Sequence, residues 1–477
     1  MTSIANLEKN FALVRTLIES DQLPSSRTAW GRTSEFWKDI FSDRSNFPSL
    51  MEFLAFRRAD FGYGMADERQ GAVDREEQHL RRTVEIFRQS ADPKRVAALD
   101  EDALGAPYVF ESFGALRSAA FWTNAITALR VCDIVKQHGS AEKPLAILEI
   151  GAGWGGASYL LHQLLPVDSY TIIDLPENLF LSTNYLSASL NRPLQPMPIN
   201  ASDSHRAKQG AIAFGLPGAV AALGQKYDVI VNSFSLQEMD LSTVQAYFEW
   251  ISGALIENGC FVSFNSHGKA GVQRPVDYPL EGFQVCQFGM FRDFPSGLLN
   301  TIPYELVLKR GSSTHWNDEV FDVLGCLMQF GLGDDLKPIC AKLVQGSLSK
   351  ETAEALCTLK GFFTTDAAKR VEALSRHPTP ELSVLHAYIQ GLHSYAVGDV
   401  VVAKSAFERA ISGGLKGFAK LRACAHIAVI DQSHTITGWN EDFDALFAYP
   451  ELERILAESD PTPFRIQFER VVSANLC

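Results

Sequence analysis

The sequence contains no run of roughly 20 apolar residues of the length needed to cross a bilayer. A long uncharged stretch, between Lys208 and Lys226, is interrupted by Gly215, Pro217 and Gly218. No secretory leader is expected, because Glu8 and Lys9 occupy the place of its apolar segment. Leu7, Phe11, Val14, Leu17 and Ile18 recur instead at helical spacing. Cationic excess is lacking too: 43 Lys and Arg stand against 56 Asp and Glu, a net charge of −13. That balance argues against a nucleic-acid-coating protein, which needs clustered cation to displace counterions. The 8 cysteines are scattered, with no CxxC pair and no histidine-rich partner. Neither a zinc site nor a disulfide framework is expected, and the thiols read as reduced and cytoplasmic. No Asp/His constellation calls for a metal.

What is present is ordinary for a core-forming chain: 46% hydrophobic and 21% charged residues over 477 positions. At roughly 150 residues per domain this length suits about three domains. Residues 1–140 read as helical, with many aromatics (Trp30, Phe36, Trp37, Phe41, Phe47, Phe53, Phe56, Phe61, Tyr63) that suit either an ordinary helical core or a lid over a site. Residues 141–310 alternate short β-rich runs with amphipathic helices, the pattern of a parallel sheet wrapped by helices. Residues 311–477 return to helix after Gly311-Ser312-Ser313. Within them Ala387, Gly391, Ala403, Phe407 and Ala410, with Gly398-Asp399 between, fit one tetratricopeptide-like hairpin. A single hairpin cannot bury its own face, so it should pack on neighbouring helices or on a second copy of the chain.

In the middle zone, strands are expected at Leu145–Ile150, Tyr170–Ile173, Tyr227–Asn232, Cys260–Phe264, Gln284–Phe288 and Glu305–Leu308, with a weak one near Pro196 and Pro198. Helices follow over Ala157–Leu165, after Pro176, and from Leu241 to a cap at Gly259. Such an order makes a doubly wound, Rossmann-like sheet whose ligands bind beyond the carboxyl ends of the strands.

The first strand runs into Glu149-Ile150-Gly151-Ala152-Gly153-Trp154-Gly155-Gly156. A glycine loop between strand and helix is the context of a nucleotide-cofactor site. Glycines at 151 and 153 permit the turn and a close ligand approach, and one at 155 or 156 lets helix and strand pack. Gly151, Gly153 and Gly156 also satisfy the dinucleotide pattern, so glycine alone does not choose between NAD and S-adenosylmethionine (SAM). Glu149 tips the choice: an acid there suits the cationic, amine-bearing methionyl end better than a pyrophosphate. Asp174, closing the second strand, can take ribose hydroxyls in either case. Plain turns also use such glycines, and Asp174 also fits as a cap for the Pro176 helix.

These residues resemble the bacterial sugar O-methyltransferases within the class I SAM-dependent methyltransferases. The likeness runs through Ile147–Gly156, then Tyr170-Thr171-Ile172-Ile173-Asp174-Leu175-Pro176-Glu177, then Asn232-Ser233-Phe234-Ser235-Leu236-Gln237-Glu238-Met239. Gly105-Ala106-Pro107 resembles that family's segment just upstream of the domain. The resemblance spans about residues 100 to 310 and implies SAM as donor with a sugar or glycan-derived hydroxyl as acceptor.

Candidate cofactor contacts are therefore Glu149, Gly151, Gly153, Gly155, Asp174, Leu175, Asn200, Asp203, Asn232 and Ser233. A sugar hydroxyl is a poor nucleophile and needs a general base. His267 and Glu238, past the carboxyl ends of their strands, are the candidates. His267 has a suitable ordinary pKa but also fits as a solvated loop histidine; Glu238 also fits as a cap or as an orienting group. Lys269 and Arg274 read as solvated cations or as contacts for a nucleotide-sugar phosphate. Two other activities stay open: N-methylation of a peptide or small natural product, and a catalytically silent SAM-binding interaction scaffold.

Overall fold

The computed structural model describes residues 93–431, apart from 103, 105–108, 113, 139–142, 198–206, 223, 267–277, 292–302, 312–317, 329–331 and 364–366. The N-terminal aromatic zone, Gly105-Ala106-Pro107, Asn200, Asp203, His267, Lys269 and Arg274 lie outside the described residues.

An eight-stranded sheet organises the chain. Its strands are β1 (Leu145–Ile150), β2 (Val167–Ile173), β3 (Leu194–Pro196), β4 (Ile212–Gly215), β5 (Tyr227–Ser233), β6 (Leu255–Ser266), β7 (Phe283–Met290) and β8 (Pro303–Arg310). They lie in the order β3-β4-β2-β1-β5-β6-β8-β7. All neighbours are parallel except β8, which runs antiparallel to both β6 and β7. The chain steps outward from β1 through β2 to β4, then returns to the other side of β1 as β5. That reversal between β1 and β5 is a topological switch point, where a crevice opens beyond the strand ends.

Alternation along the strands divides the core in two. Ile147, Tyr170, Ile172, Phe214, Val231 and Val262 face helices α1 (Ala119–His138), α2 (Gly156–Leu164) and α3 (Pro176–Leu190). Leu148, Ile150, Ile173, Ile230, Phe261 and Leu306 face the other way, toward α4 (Leu241–Ala254). Both faces are buried, which is why these strands read as continuous apolar runs. Arg130 of α1 ties one layer to the sheet through two bonds to Glu305, Nε to Oε2 at 2.7 Å and a second nitrogen to Oε1 at 2.6 Å.

The second face continues without a break into the C-terminal helices. Phe321 and Leu324 of α5 (Asp318–Leu327), Leu336 and Leu343 of α6 (Gly333–Val344), and Tyr388 of α7 (Ser383–Ala396) share one apolar cluster with Phe248 and Phe288. Helix α8 (Val400–Ser412) pairs with α7 across the small residues expected there: Ala403, Phe407 and Ala410 are fully buried. A β-carbon on Gly391 would stand 2.5 Å from Phe407 Cδ1, so only glycine admits the ring.

Three expectations need correction. Gly259 does not cap α4, which ends at Ala254; it lies within β6, its α-carbon face against the carbonyls of Tyr227 and Asp228. The strand beside β2 is not the one near Pro196 but β4, in the uncharged stretch before Lys226. β3 is a three-residue edge segment. Two prolines leave few N–H groups for a ladder, whereas Ile212–Gly215 is wholly buried. Helix α2 also begins one residue early, at Gly156.

Gly391→Ala should lower stability by about 1–3 kcal/mol through overpacking against Phe407. Gly253→Ala, in α4 with nothing within 4 Å of the added carbon, should be neutral or gain about 0.4–1 kcal/mol. Thermal and urea unfolding of both variants checks the contrast.

Candidate functional site

The glycine loop leaves β1 in the left-handed region, with φ of 78° at Gly151, 58° at Gly153 and 92° at Gly155. Each glycine has its own neighbour. A β-carbon on Gly151 would overlap the Ser235 side chain; one on Gly155 would press Leu186 and Ser182 of α3; one on Gly156 would meet Trp154 and Asn124. Packing at 155 and 156 is thus helix against helix, rather than helix against strand as the sequence suggests. A β-carbon on Gly153 would meet nothing within 4 Å, so the space on that side is open. The residues Gly151, Ala152 and Gly153 are partly exposed, while Trp154 is buried edge-on against Tyr185 at 4.9 Å.

Asp174 follows β2 and braces this loop. Its Oδ2 accepts from Gly153 N–H at 2.8 Å, and its Oδ1 accepts from Leu175 N–H at 2.7 Å and from Asn178 Nδ2 at 3.0 Å. The Asp174 N–H donates in turn to Gly215 O of β4 at 3.3 Å. Tyr247 of α4 is buried nearby; burial, and secondarily the Asp174 charge, holds its phenol well above the ordinary range. Leu175 is the residue from which α3 starts, with Pro176 in its first turn.

Glu149 sits differently from Asp174. Strand alternation turns it toward α2, and it is 1% exposed. Its Oε2 accepts from Tyr170 Oη at 2.5 Å and from Ser158 Oγ. Burial raises its pKa, against the lowering effect of those two hydroxyls. Glu149 therefore pins β1, β2 and the start of α2 together beneath the loop. His162 lies tilted against Tyr170 at 4.8 Å, its Nδ1–H donating to Ser158 O at 2.8 Å, and burial lowers its pKa to about 4.

At the end of β5, Asn232 Nδ2 donates to Ile150 O at 2.9 Å and to Ser235 Oγ, and Ser235 Oγ donates to the same carbonyl at 3.0 Å. Asn232 Oδ1 accepts from Leu236 N–H at 3.3 Å and from Asn265 Nδ2 at 3.0 Å. Asn265 also donates to Ser263 Oγ at 2.8 Å and accepts from Gln237 N–H at 3.0 Å. Between them Phe234 takes a left-handed φ of 61°, its N–H tied to Phe264 O at 2.7 Å. Such a conformation costs a non-glycine residue about 1–3 kcal/mol. It turns the chain so that Ser235 can reach Gly151. Ser233 Oγ is buried with no partner among the described residues.

Glu238 ends the short turn Leu236–Glu238 and is partly exposed, accepting from Gln237 Nε2 at 3.3 Å. It does not cap α4. Asp240 does, through Thr243 N–H at 2.7 Å, and its bonds to Ser242 and Thr243 lower its pKa.

The structure thus brings Gly151, Gly153, Asp174, Asn232 and Ser233 to one edge and places Glu149 beneath it. Sequence reading missed Ser235, Asn265 and Asn178. The available signal was polarity, since an asparagine ending a buried apolar strand needs bonds supplied by its neighbours. Among the described residues no group of three His, Cys, Asp or Glu could hold a metal, and no helix is long and apolar enough to cross a membrane. The seven described cysteines are free thiols.

No family model matches the sequence, and no curated protein matches it. Solved structures do. A SAM-dependent methyltransferase of Clostridium acetobutylicum is similar at 11% identity, over 40% of this chain and 92% of its own, with a TM-score of 0.29. Magnesium protoporphyrin IX methyltransferase of Synechocystis with bound SAM is similar at 14%, over 58% and 97%, with a TM-score of 0.30; its form with bound S-adenosylhomocysteine also matches. A SAM-dependent methyltransferase of Leishmania major is similar at 13%, over 39% and 73%, with a TM-score of 0.29.

Gly151→Ala should abolish the loop's fit against Ser235 and lower the melting temperature sharply. Gly153→Ala should cost only about 1 kcal/mol of backbone strain while filling the open space. Paired melting curves check that only the first unfolds early. For Glu149 the sign follows from its raised pKa: the protonated form is favoured by folding, so stability falls as pH rises through the folded value. Glu149→Gln keeps an acceptor for Ser158 and Tyr170. Its stability relative to the parent should therefore increase as the pH rises above the ordinary glutamate range, measured by urea unfolding at a series of pH values.

Proposed function

We propose that this protein is a SAM-dependent methyltransferase that methylates a hydroxyl of a sugar or glycan-derived acceptor. One observation carries the donor assignment: the open, left-handed loop at Gly153 is bonded directly to the carboxylate that ends β2. The fit to SAM is reasonable in both halves. Open space over Gly153 admits a ligand to the backbone. An acidic rather than cationic frame, Asp174 at the rim with Glu149 beneath, suits a donor bearing a sulfonium and an ammonium and no phosphate. SAM supplies a methyl group on a positively charged sulfur, a centre open to in-line displacement. The chain's task is then to hold donor and acceptor in line and to take a proton, which is where most of the acceleration would arise.

Gly151, Gly153 and Gly155 shape the loop, and Asp174 and Leu175 frame the ribose side. Asn232 sets the edge, and Ser233 offers a hydroxyl toward it. Glu149 acts from below by fixing β1 and α2. For the acceptor proton, Glu238 stands on a turn whose backbone is anchored to Asn265, and His267 follows that asparagine by two residues in the chain. The sugar hydroxyl as acceptor rests on the motif resemblance through Tyr170–Glu177 and Asn232–Met239. The α7–α8 pair is read as tetratricopeptide-like from the same spacing that buries Phe407.

Calorimetry with SAM and with NAD separates the cofactor classes. SAM should bind and NAD should not, and Asp174→Ala should weaken SAM tenfold or more, since bonds to a charged partner contribute about 1.5–3 kcal/mol. Transfer of labelled methyl should then appear on a member of a panel of sugars and nucleotide sugars. With that acceptor, His267→Ala or Glu238→Ala should lower turnover more than SAM affinity. Heat with NAD alone would overturn the assignment, and labelling only of peptides would move the acceptor to nitrogen.

A further inference from the structure

Helix α1 is buried along most of its length. From Ala120 to Leu129 every residue is buried except Asn124, which is partly exposed. Two contacts with α2 fix where that asparagine stands. Its Cγ lies 2.7 Å from the point a β-carbon on Gly156 would occupy, and Cys132 Sγ, about two turns on, reaches Leu164 O at 3.9 Å. The two helices therefore run side by side in the same direction, and Asn124 is level with the end of the glycine loop.

Asn124 Nδ2 donates to Ala120 O at 2.7 Å. Only the nitrogen side of an amide can donate, so this bond fixes which way the group is turned. Oδ1 accepts from no described residue and is not among the buried atoms left without a partner, so it opens to solvent. The start of α2 carries partial positive charge, which favours a carboxylate and disfavours an ammonium. Glu149 does not offset this by contact, because it is enclosed, with Oε2 bonded to Ser158 and Tyr170. An outward-facing amide oxygen at the level of the loop supplies a neutral acceptor there. We infer that Asn124 is a donor-contact residue: its Oδ1 accepts a hydrogen bond from the ammonium of the methionyl end of SAM. The inference rests on the methyltransferase reading above and adds a contact from α1, away from the strand ends that carry the motif.

The test is calorimetry on the full chain with S-adenosylhomocysteine and with the same compound lacking its amino group. The parent should prefer the amine-bearing ligand about tenfold or more, as a bond to a charged donor implies. Asn124→Ala should lower that preference about tenfold by weakening S-adenosylhomocysteine alone. Unchanged binding of the deamino compound then shows an intact site, since the only bond removed runs within α1. Asn124→Asp keeps an acceptor oxygen and should retain or enlarge the preference. If the alanine variant binds neither ligand, the aspartate variant decides: preference kept supports the proposal, preference lost overturns it. Equal weakening of both ligands by Asn124→Ala, no weakening of either, or a parent that does not distinguish them would also overturn it. If the parent bound neither ligand, the cofactor assignment itself would fall, and this inference with it.

Discussion

Two buried carboxamides hold the carboxyl edge of the sheet in one piece. Asn232 reaches sideways to the carbonyl of Ile150, the last residue before the glycine loop, and Asn265 reaches to Asn232 from the neighbouring strand. Both side chains are fully buried, and all of their donors and acceptors are engaged. A satisfied buried network of this kind is stiff, because breaking one bond leaves another group unpaired in low dielectric. Three strand ends, β1, β5 and β6, are thereby fixed relative to one another. The glycine loop and the turn Leu236–Glu238 hang from the same frame.

The left-handed Phe234 belongs to the same constraint. Gly151 has no side chain, and Ser235 fills the place a β-carbon would take. Bringing Ser235 there requires a turn too tight for an ordinary backbone, and Phe234 carries the resulting strain. The bonds from Ser235 and Asn232 to one carbonyl, each worth about 0.5–1.5 kcal/mol net, are of the size needed to offset it. Glycine at 151 and strain at 234 are two sides of one close approach.

Much of the sheet was legible because its strands are buried on both faces and read as apolar runs ended by turn residues. β1, β2 and β5 are of this kind. β4 was not, because Ile212–Gly215 sits in a stretch without charges or clear boundaries, where apolar character signals burial but not which element is buried. The same ambiguity put Asn200 and Asp203 after a third strand, when the strand beside β2 ends at Gly215. Gly259 misled for a related reason. Glycine after a helical pattern signals a cap, yet this one serves the close approach of β6 to the start of β5, where the register shifts between Tyr227 and Val229. At the site, glycine and acid positions were visible as types. The direction of Glu149 followed only from strand alternation, which places it opposite Leu148 and Ile150 and so under the loop.

That placement changes what its acidity means. A carboxylate at the rim acts on a cation by contact, as Asp174 can. One buried beneath the loop acts through position, holding Ser158 and Tyr170 so that α2 starts where the loop needs it. Burial raises its pKa, and its two hydroxyl partners lower it, so its surroundings act on it through packing and hydrogen bonds. The charge that a sulfonium would meet is therefore concentrated at Asp174, whose own bonds to Gly153 and Leu175 aim it across the open space. An acidic motif that looks like two equivalent carboxylates in sequence divides in three dimensions into one bonded to the glycine loop and one buried beneath it.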